Sequence, residues 1–434
     1  NTAKPYFFDG QTTAYKDSST VWMYATQRRG GRMVYAFDVS TPTNPSLKWR
    51  RGCPNLTDDT DCTSAEFGSI GQTWSAPIVI KSSGYASGST SLPMLIFGGG
   101  YDTCEDGSSS SDLNTCATPK GNKIFVLDAN NGALLKALPT DRSVVGNITI
   151  VPNASSGLVE YAYAADTGGN VYRISVGSAA PGNWTITKIA SLGCQIPNCP
   201  GGIANRKFLF APEVVVTPSL NYILIGSGDR EHPLLSHETT TSVNNAFFMI
   251  KDKPSDTAWW SSETTNCQSD TLACLNSLYA MDPDSTIIPS EEQLAGKKGW
   301  YLQFGTTENH DKEQVVTAAI VVRGIVVFST HTPQKPDTNS CGSNLGLGRI
   351  YNLHFMNGSP VASKRFAVLQ GGGFGLSAAS GTIVTNNQLI DVVIGGGSQD
   401  CLEAGSCSSL GGTNPPGLIP SSNFKSRAYW YLQQ

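Results

Sequence analysis

Gly31-Arg-Met-Val-Tyr-Ala-Phe-Asp38 and Gly121-Asn-Lys-Ile-Phe-Val-Leu-Asp128 are two copies of one phrase: a glycine, a run of apolar and aromatic residues, and a closing aspartate. Looser copies begin at Gly169 (Gly-Asn-Val-Tyr-Arg-Ile), Asn245 (Asn-Ala-Phe-Phe-Met-Ile-Lys-Asp252) and Gly348 (Gly-Arg-Ile-Tyr-Asn-Leu). Self-similarity at a few tens of residues marks a repeat architecture. Short runs rich in β-branched and aromatic residues, separated by turn residues, read as strands.

Working outward from these phrases, the strands fall into groups. Val21 to Thr26, Gly31 to Val39 and Leu47 to Arg51 open the chain. Ala76 to Lys81, Met94 to Gly98, Lys123 to Asp128 and Ala133 to Leu138 make a second group. The third is Asn147 to Val151, Val159 to Ala165, Val171 to Val176 and Trp184 to Ala190. The fourth is Glu213 to Thr217, Tyr222 to Gly226, Ala246 to Lys251 and an edge at Trp259-Trp260. Ala318 to Val322, Gly324 to Thr330, Gly348 to His354 and Val361 to Phe366 form the fifth. Ala379 to Thr385, Leu389 to Gly395 and Arg427 to Leu432 form the last, with room for a fourth strand from the amino terminus. Pro5 to Asp9 and Trp300 to Phe304 are fragments of a seventh group. Four-stranded antiparallel sheets repeated radially make a β-propeller. The expectation is an all-β chain, one modified β-propeller domain over residues 1–434, with seven or six blades and long disulfide-stapled loops. Ser290 to Ala295 is the one modest helix signal.

Composition agrees with many short strands: 45 glycines and 24 prolines in 434 residues. Charged residues are 15% and the formal net charge is −4, so no basic face for nucleic acid is expected. No apolar stretch is long enough to span a bilayer; Val315 to Phe328 is broken by Arg323 and reads as two strands. The chain starts at Asn1 without an initiator methionine or a signal peptide, which suggests a processed or truncated piece of a longer protein.

Ten of the 11 cysteines form close pairs in polar segments: Cys53/Cys62, Cys104/Cys116, Cys194/Cys199, Cys267/Cys274 and Cys401/Cys407. The spacings are wider than zinc motifs and carry no nearby histidine, so disulfides in an oxidising compartment are expected. Cys341 is left over, free or paired with Cys401, Cys407 or a cysteine elsewhere. The cysteine-bearing or Ser/Pro-rich stretches Arg51 to Gln72, Asp102 to Gly121, Gly193 to Arg206, Thr239 to Val243, Ser255 to Lys298 and Gln399 to Lys425 would project from one rim, where function concentrates.

Chemistry is sparse. Gly98-Gly-Gly100, Gly371-Gly-Gly373 and Gly395-Gly-Gly397 lack the Lys-Ser/Thr of a phosphate loop and read as crowded strand ends. Asp229, Arg230, Glu231 and His232 form an acid/base cluster or, more simply, a strand-end turn in which Asp229 pairs with Arg230. His232, His237, His310, His331 and His354 are scattered, and no Gly-x-Ser-x-Gly elbow is present. Asp102, Asp106 and Asp112 are calcium candidates, because Asp102-Thr-Cys-Glu-Asp-Gly107 places acidic residues at the first and fifth positions and glycine at the sixth.

Several phrases, in order, resemble the PilY/PilC family of type IV pilus tip-associated adhesins, in its carboxy-terminal β-propeller. They are Gly30 to Asp38, Trp74-Ser-Ala-Pro77, Gly98-Gly-Gly-Tyr-Asp102, Gly121 to Asp128, Ala165-Asp-Thr-Gly-Gly-Asn-Val-Tyr-Arg173, Ala211-Pro-Glu213, Gly226-Ser-Gly-Asp-Arg-Glu-His-Pro233, Gly299-Trp-Tyr-Leu302 and Cys341-Gly-Ser-Asn. The resemblance implies a modified seven-bladed propeller, export through the periplasm to the pilus tip or outer surface, and contact with minor and major pilins. It implies roles in pilus extension, twitching motility and attachment, no enzymatic activity, and a separate amino-terminal region. Family members with calcium-controlled pili carry an Asp-rich loop where this chain has Asn153 to Glu160, which lacks the carboxylates a hard cation needs. Two other readings are open. Asp128-Ala-Asn-Asn-Gly132 resembles the turn of quinoprotein dehydrogenases, without their following tryptophan or adjacent cysteines. Trp184, Trp259 and Trp260 would suit a carbohydrate-binding propeller if exposed.

Overall fold

The computed structural model describes residues 6–56, 58–105, 116, 118–194, 206–229, 243–305, 310, 312–333 and 346–368, and the strand backbones of 379–385 and 388–394. Four strands, β1 (Thr12–Asp17), β2 (Thr20–Thr26), β3 (Arg32–Asp38) and β4 (Ser46–Cys53), pair in chain order as one antiparallel sheet. The second sheet is β5 (Ile78–Ile80), β8 (Met94–Gly98), β9 (Lys123–Asp128) and β10 (Leu134–Pro139), with a small hairpin of β6 (Ala86–Ser87) and β7 (Thr90–Ser91) inserted. The third is β11 (Thr149–Pro152), β12 (Val159–Ala165), β13 (Asn170–Ser175) and β14 (Thr185–Ser191). The fourth has five strands: β15 (Glu213–Val216), β16 (Asn221–Gly226), β17 (Ala246–Asp252), β19 (Gly299–Gln303) and, parallel at its outer edge, β18 (Tyr279–Met281). In the fifth, β20 (Gln314–Val315) and β21 (Ile320–Val322) both pair with β22 (Ile325–Thr332), followed by β23 (Leu347–His354) and β24 (Phe366–Val368). β25 (Ala379–Thr385) and β26 (Gln388–Ile394) form a hairpin.

The first strands of the sheets gather about one axis: β1 lies beside β5, β11 beside β15, β15 beside β21 and β21 beside β25. Side-chain bonds tie them there. Asn147 accepts the Ala76 N–H at 2.7 Å, and Glu213 accepts the Val321 N–H at 3.1 Å. Between neighbouring sheets lie separate cores. Tyr24, Val34 and Ala36 meet Leu95, Phe97 and Phe125. Ile96 and Val126 meet Ala162 and Ile174; Tyr163 and Val171 meet Ile223 and Phe248. Phe247 and Met249 meet Phe328 and Tyr351. Strands apolar on both faces are what a sheet sandwiched between two others requires. The chain is thus all-β, built as propeller wedges of four-stranded antiparallel sheets.

Three differences from the sequence reading have physical causes. Thr12–Asp17 is a strand although its polar residues leave it exposed, so the first sheet is complete without a borrowed strand. Trp259-Trp260 is not an edge strand. Trp259 donates its indole N–H to the Lys251 carbonyl at 3.0 Å, and Trp260 enters the core between the third and fourth sheets. Gly299–Gln303 fills the outer position instead, so Trp300 to Phe304 completes the fourth sheet and not a seventh. Residues 361–365 bend, and the strand there is Phe366–Val368. The break at Arg323 is a tight hairpin turn in which Arg323 (φ 50°) and Gly324 (φ 85°) both adopt the left-handed conformation. The helix signal is α1 (Glu291–Ala295), capped by Ser290, whose hydroxyl accepts the Gln293 N–H. Gly371 to Gly373, Gly395 to Gly397, Arg427 to Leu432 and Cys341 lie outside the described residues.

Candidate functional site

Because the strands alternate in direction, connections 27–31, 54–77, 99–122, 192–212, 227–245, 304–313 and 333–346 all leave from the same end of the sheets. This rim is the candidate site. The segment 253–298 departs from the opposite end and wraps the perimeter, where Ala273 bonds the outer strand of the third sheet through Ile189 and Ser191. It does not project with the other loops as the sequence suggested. Its Leu272, Leu275, Leu278 and Leu294 are buried among the blades.

Disulfides close Cys53–Cys62 and Cys104–Cys116 on the rim, and Cys267–Cys274 in the wrapping segment. Cys194 is disulfide-bonded, while Cys199, Cys401 and Cys407 lie outside the described residues.

Buried arginines anchor the long segments, which sequence reasoning missed. Arg32 is 3% exposed. It donates from Nε to the Ile70 carbonyl (2.7 Å), from Nη1 to the Asn55 (3.2 Å) and Asp58 (2.8 Å) carbonyls, and from Nη2 to Gly68 O (2.9 Å) and Asp59 Oδ1 (2.8 Å). Lys120 joins from the next loop, 2.7 Å from Asp59 Oδ2. These two cations, Lys120 first, hold the Asp59 carboxyl below the usual carboxylate range. Arg206 is fully buried and bonds the carbonyls of Asn244 (2.7 Å), Leu192 (3.3 Å) and Cys194 (3.0 Å); burial lowers its guanidinium to about 10. Arg365 grips the Gly358, Asp282 and Ile287 carbonyls at 2.9, 3.3 and 2.8 Å.

A polar belt runs along the rim beneath these loops. The buried Glu105 accepts from Ser143 Oγ (3.0 Å) and Thr167 Oγ1 (2.9 Å), and lies 3.4 Å from Arg142. Lys207 donates to the Glu105 carbonyl and pairs with Asp229 at 3.2 Å. Arg230, Glu231, His232 and His237 lie outside the described residues. Further round, Glu313 gathers His310, Thr330, Arg349 (3.1 Å) and Tyr351 (2.9 Å), and His310 reaches Asp284 at 3.3 Å. Burial lowers the His310 imidazole, but the Glu313 carboxylate and then Asp284 outweigh it and leave its pKa raised. His331 and His354 are in β22 and β23 and, among the described residues, share no ligand cluster with it.

The Ala165-Asp-Thr-Gly-Gly-Asn phrase is structural. Asp166 accepts from the N–H groups of Arg142, Gly168 and Asn170, from the Asn170 amide and from the Tyr172 hydroxyl, which closes the turn between β12 and β13. Arg173 crosses to the next blade and binds Asp252 at 2.7 Å, with Tyr163 bonding the same carboxylate. The Asp128 to Gly132 turn is likewise a seam: Asp128 accepts the Asn130 and Asn131 N–H groups, and Arg51 donates to the Gly132 carbonyl. Gly132, at φ 69°, lies under the Trp49 ring, where a Cβ would approach to 2.7 Å. In the Gly98 to Gly100 cluster, Gly100 (φ 95°) presses on the Gln72 carbonyl, 2.0 Å from where a Cβ would stand.

Of the calcium candidates, Asp102 is among the described residues. Asp102 spends its oxygens on the Cys104 N–H (3.0 Å) and Lys120 N–H (2.7 Å), and its neighbours Cys104 and Cys116 are oxidised. Asp106 and Asp112 lie outside the described residues. In the 153–160 turn, Asn153 Oδ1 accepts from Ser155 N (3.0 Å) and Ser156 N (3.2 Å), and its amide donates to Glu160 at 3.3 Å. The turn is closed by protein groups and offers a single carboxylate. The tryptophans proposed for sugars are engaged too: Trp184 is 2% and Trp260 6% exposed, and the Lys298 ammonium sits 3.7 Å over the Trp259 ring.

Comparison with known proteins places this architecture. Residues 5–185 match the model of the PilY1 beta-propeller domain. The chain is 24% identical over 348 residues to a type IV pilus biogenesis factor PilY1 homolog of Xylella fastidiosa, covering 76% of this chain and 22% of that protein. It is 23% identical over 356 residues to type IV pilus biogenesis factor PilY1 of Pseudomonas aeruginosa PAO1, covering 74% of this chain and 28% of the relative. It therefore spans about a quarter of the length of the curated relatives it matches. The crystal structure of the Pseudomonas aeruginosa PilY1 C-terminal domain superposes with a TM-score of 0.58 at 16% identity, over 89% of this chain and 81% of that one. The amino-terminal part of the chain is thus similar to the PilY1 beta-propeller domain, and its fold is that of the PilY1 C-terminal domain.

Proposed function

We propose that this chain is the propeller of a type IV pilus biogenesis factor that acts by binding, not by catalysis. The rim loops, clamped at their bases and exposed at residues such as Asp58, Asp61 and Glu66, meet minor and major pilins or an external surface. Its place is outside the cell, at the pilus tip, where it supports pilus extension, twitching motility and attachment. The carrying observation is the pairing of disulfides with buried arginines under long polar loops, an arrangement that presents side chains rigidly. Oxidised cysteines agree with an exported location.

Replacing the exposed side chains of residues 58–66 by alanine, with Asp59 kept, tests this in the organism. Fewer surface pili or weaker attachment at normal protein levels is the expected result. Wild-type piliation, twitching and attachment would overturn it. We also propose that the chain works without calcium. A chelator should leave its melting temperature unchanged, whereas an ion held at 100 times its dissociation constant would contribute about 2.7 kcal/mol.

A further inference from the structure

The third and fourth sheets part at the end away from the rim. Tyr161 on β12, Ser175 on β13 and Thr185 on β14 stand directly opposite one another across the strands, so they share one face of the third sheet. That face is turned to the fourth sheet, because Tyr161 packs against the core between the two. Further along it, Tyr163 and Arg173 bond Asp252 of β17 at 2.7 Å each and close the space behind. In front of them the sheets leave an opening of about 320 Å³, completed by Glu160, Asn183 and Pro254. This volume lies within the usual range of small-molecule sites.

The polar groups of the opening are uncommitted. Among the described residues, the Tyr161, Ser175 and Thr185 hydroxyls and the Asn183 amide have no hydrogen-bond partner in the protein. Arg173 Nε, at the back, is buried without an acceptor. Burial, and then the Glu160 carboxylate, raise the Tyr161 phenol above its usual pKa, so it stays a donor at neutral pH. We propose that this opening binds a neutral saccharide of one or two rings. Sugar hydroxyls both donate and accept, as do the groups that line the opening. The Tyr161 ring and Pro254 supply apolar surface for the C–H face of a pyranose. Anionic ligands find no free cation: Arg173 is bound to Asp252, and Lys253 beside Pro254 is bound to Asp256. Glu160 is the one carboxylate among the lining residues, and with four neutral polar side chains around it the set suits a polyol better than an ammonium. The opening faces away from the rim, so it is a second contact point, separate from the loops that meet pilins.

A glycan array probed with the full chain, followed by calorimetry on the glycans bound, tests this independently of piliation. Binding to neutral glycans is expected. Ser175→Trp, which fills the opening from a half-buried position, should abolish it. Thr185→Arg, at an exposed position on the same face, should do so too and keeps the test open if the first variant unfolds. Tyr161→Phe should weaken binding about two- to tenfold, the usual worth of one neutral hydrogen bond. Melting curves recorded alongside show which variants are folded. Binding to no neutral glycan, unchanged affinity in a folded filling variant, or tighter binding of anionic glycans or of butylammonium, the head of a lysine side chain, would overturn the proposal.

Discussion

The rim loop 54–73 and the perimeter segment 253–298 are built alike at their bases and used differently. Each has a short disulfide and a buried arginine donating to its backbone, Cys53–Cys62 with Arg32 and Cys267–Cys274 with Arg365. The perimeter segment turns Trp260, Leu275, Leu278 and Met281 inward and lends β18 to the fourth sheet. The rim loop buries Phe67 and Ile70 at its base and leaves Asp58, Asp61 and Glu66 in water. Length and cysteine content therefore do not distinguish a recognition loop from a strap; the direction of its apolar residues does.

Substitutions can sharpen that contrast. Trp260→Ala in the strap should cost about 3–5 kcal/mol, the usual range for emptying a buried aromatic site, read by urea denaturation. A loss below about 1 kcal/mol would mean the strap is not part of the core. Arg32→Met should cost about 2–4 kcal/mol, since several carbonyls lose a charged donor. It should also open the 54–69 backbone to limited proteolysis. Arg32→Lys should not restore resistance, because an ammonium cannot span the fork of carbonyls. Converting Cys53 and Cys62 together to serine should cost less, about 2–3 kcal/mol, as the closed loop is short. Attachment should fall further than stability if the loop binds.

The smallest effect is electrostatic. The Asp59 pKa is lowered by Lys120 and Arg32. Its contribution is therefore present above the unfolded carboxyl pKa, about 3.9, and is lost as pH falls through the lower folded value. Asp59→Asn should flatten the acid limb of a stability–pH curve. It should cost less than about 1 kcal/mol at neutral pH, because the side chain is 49% exposed and water screens the pair. An unchanged acid limb would show that the ion pair does not form.

Much of the ring was legible because its strands are apolar on both faces, as Lys123–Asp128 and Ala246–Asp252 are. Thr12–Asp17 was not, since an exposed inner strand carries threonine, lysine and aspartate without a hydrophobic pattern. Trp259-Trp260 misled because two adjacent aromatics fit a strand as well as a turn packed onto a core; only the pairing of Gly299–Gln303 separates them. The rim was legible as a set of polar, cysteine-bearing stretches. Its anchors were not: arginine is ordinarily a surface residue, and Arg32, Arg206 and Arg365 bind mostly carbonyls, which every residue possesses, so no sequence pattern announces the partners. Asp166 was visible within its phrase, but its many bonds follow from a turn that only folding creates.

Clamping by main-chain carbonyls leaves the held segment indifferent to the identity of most of its side chains. Asn55, Asp58 and Gly68 are gripped by Arg32 through atoms they share with any substitute. Selection can then rewrite the tips, residue by residue, toward a new surface or a new filament subunit while the chassis beneath stays put.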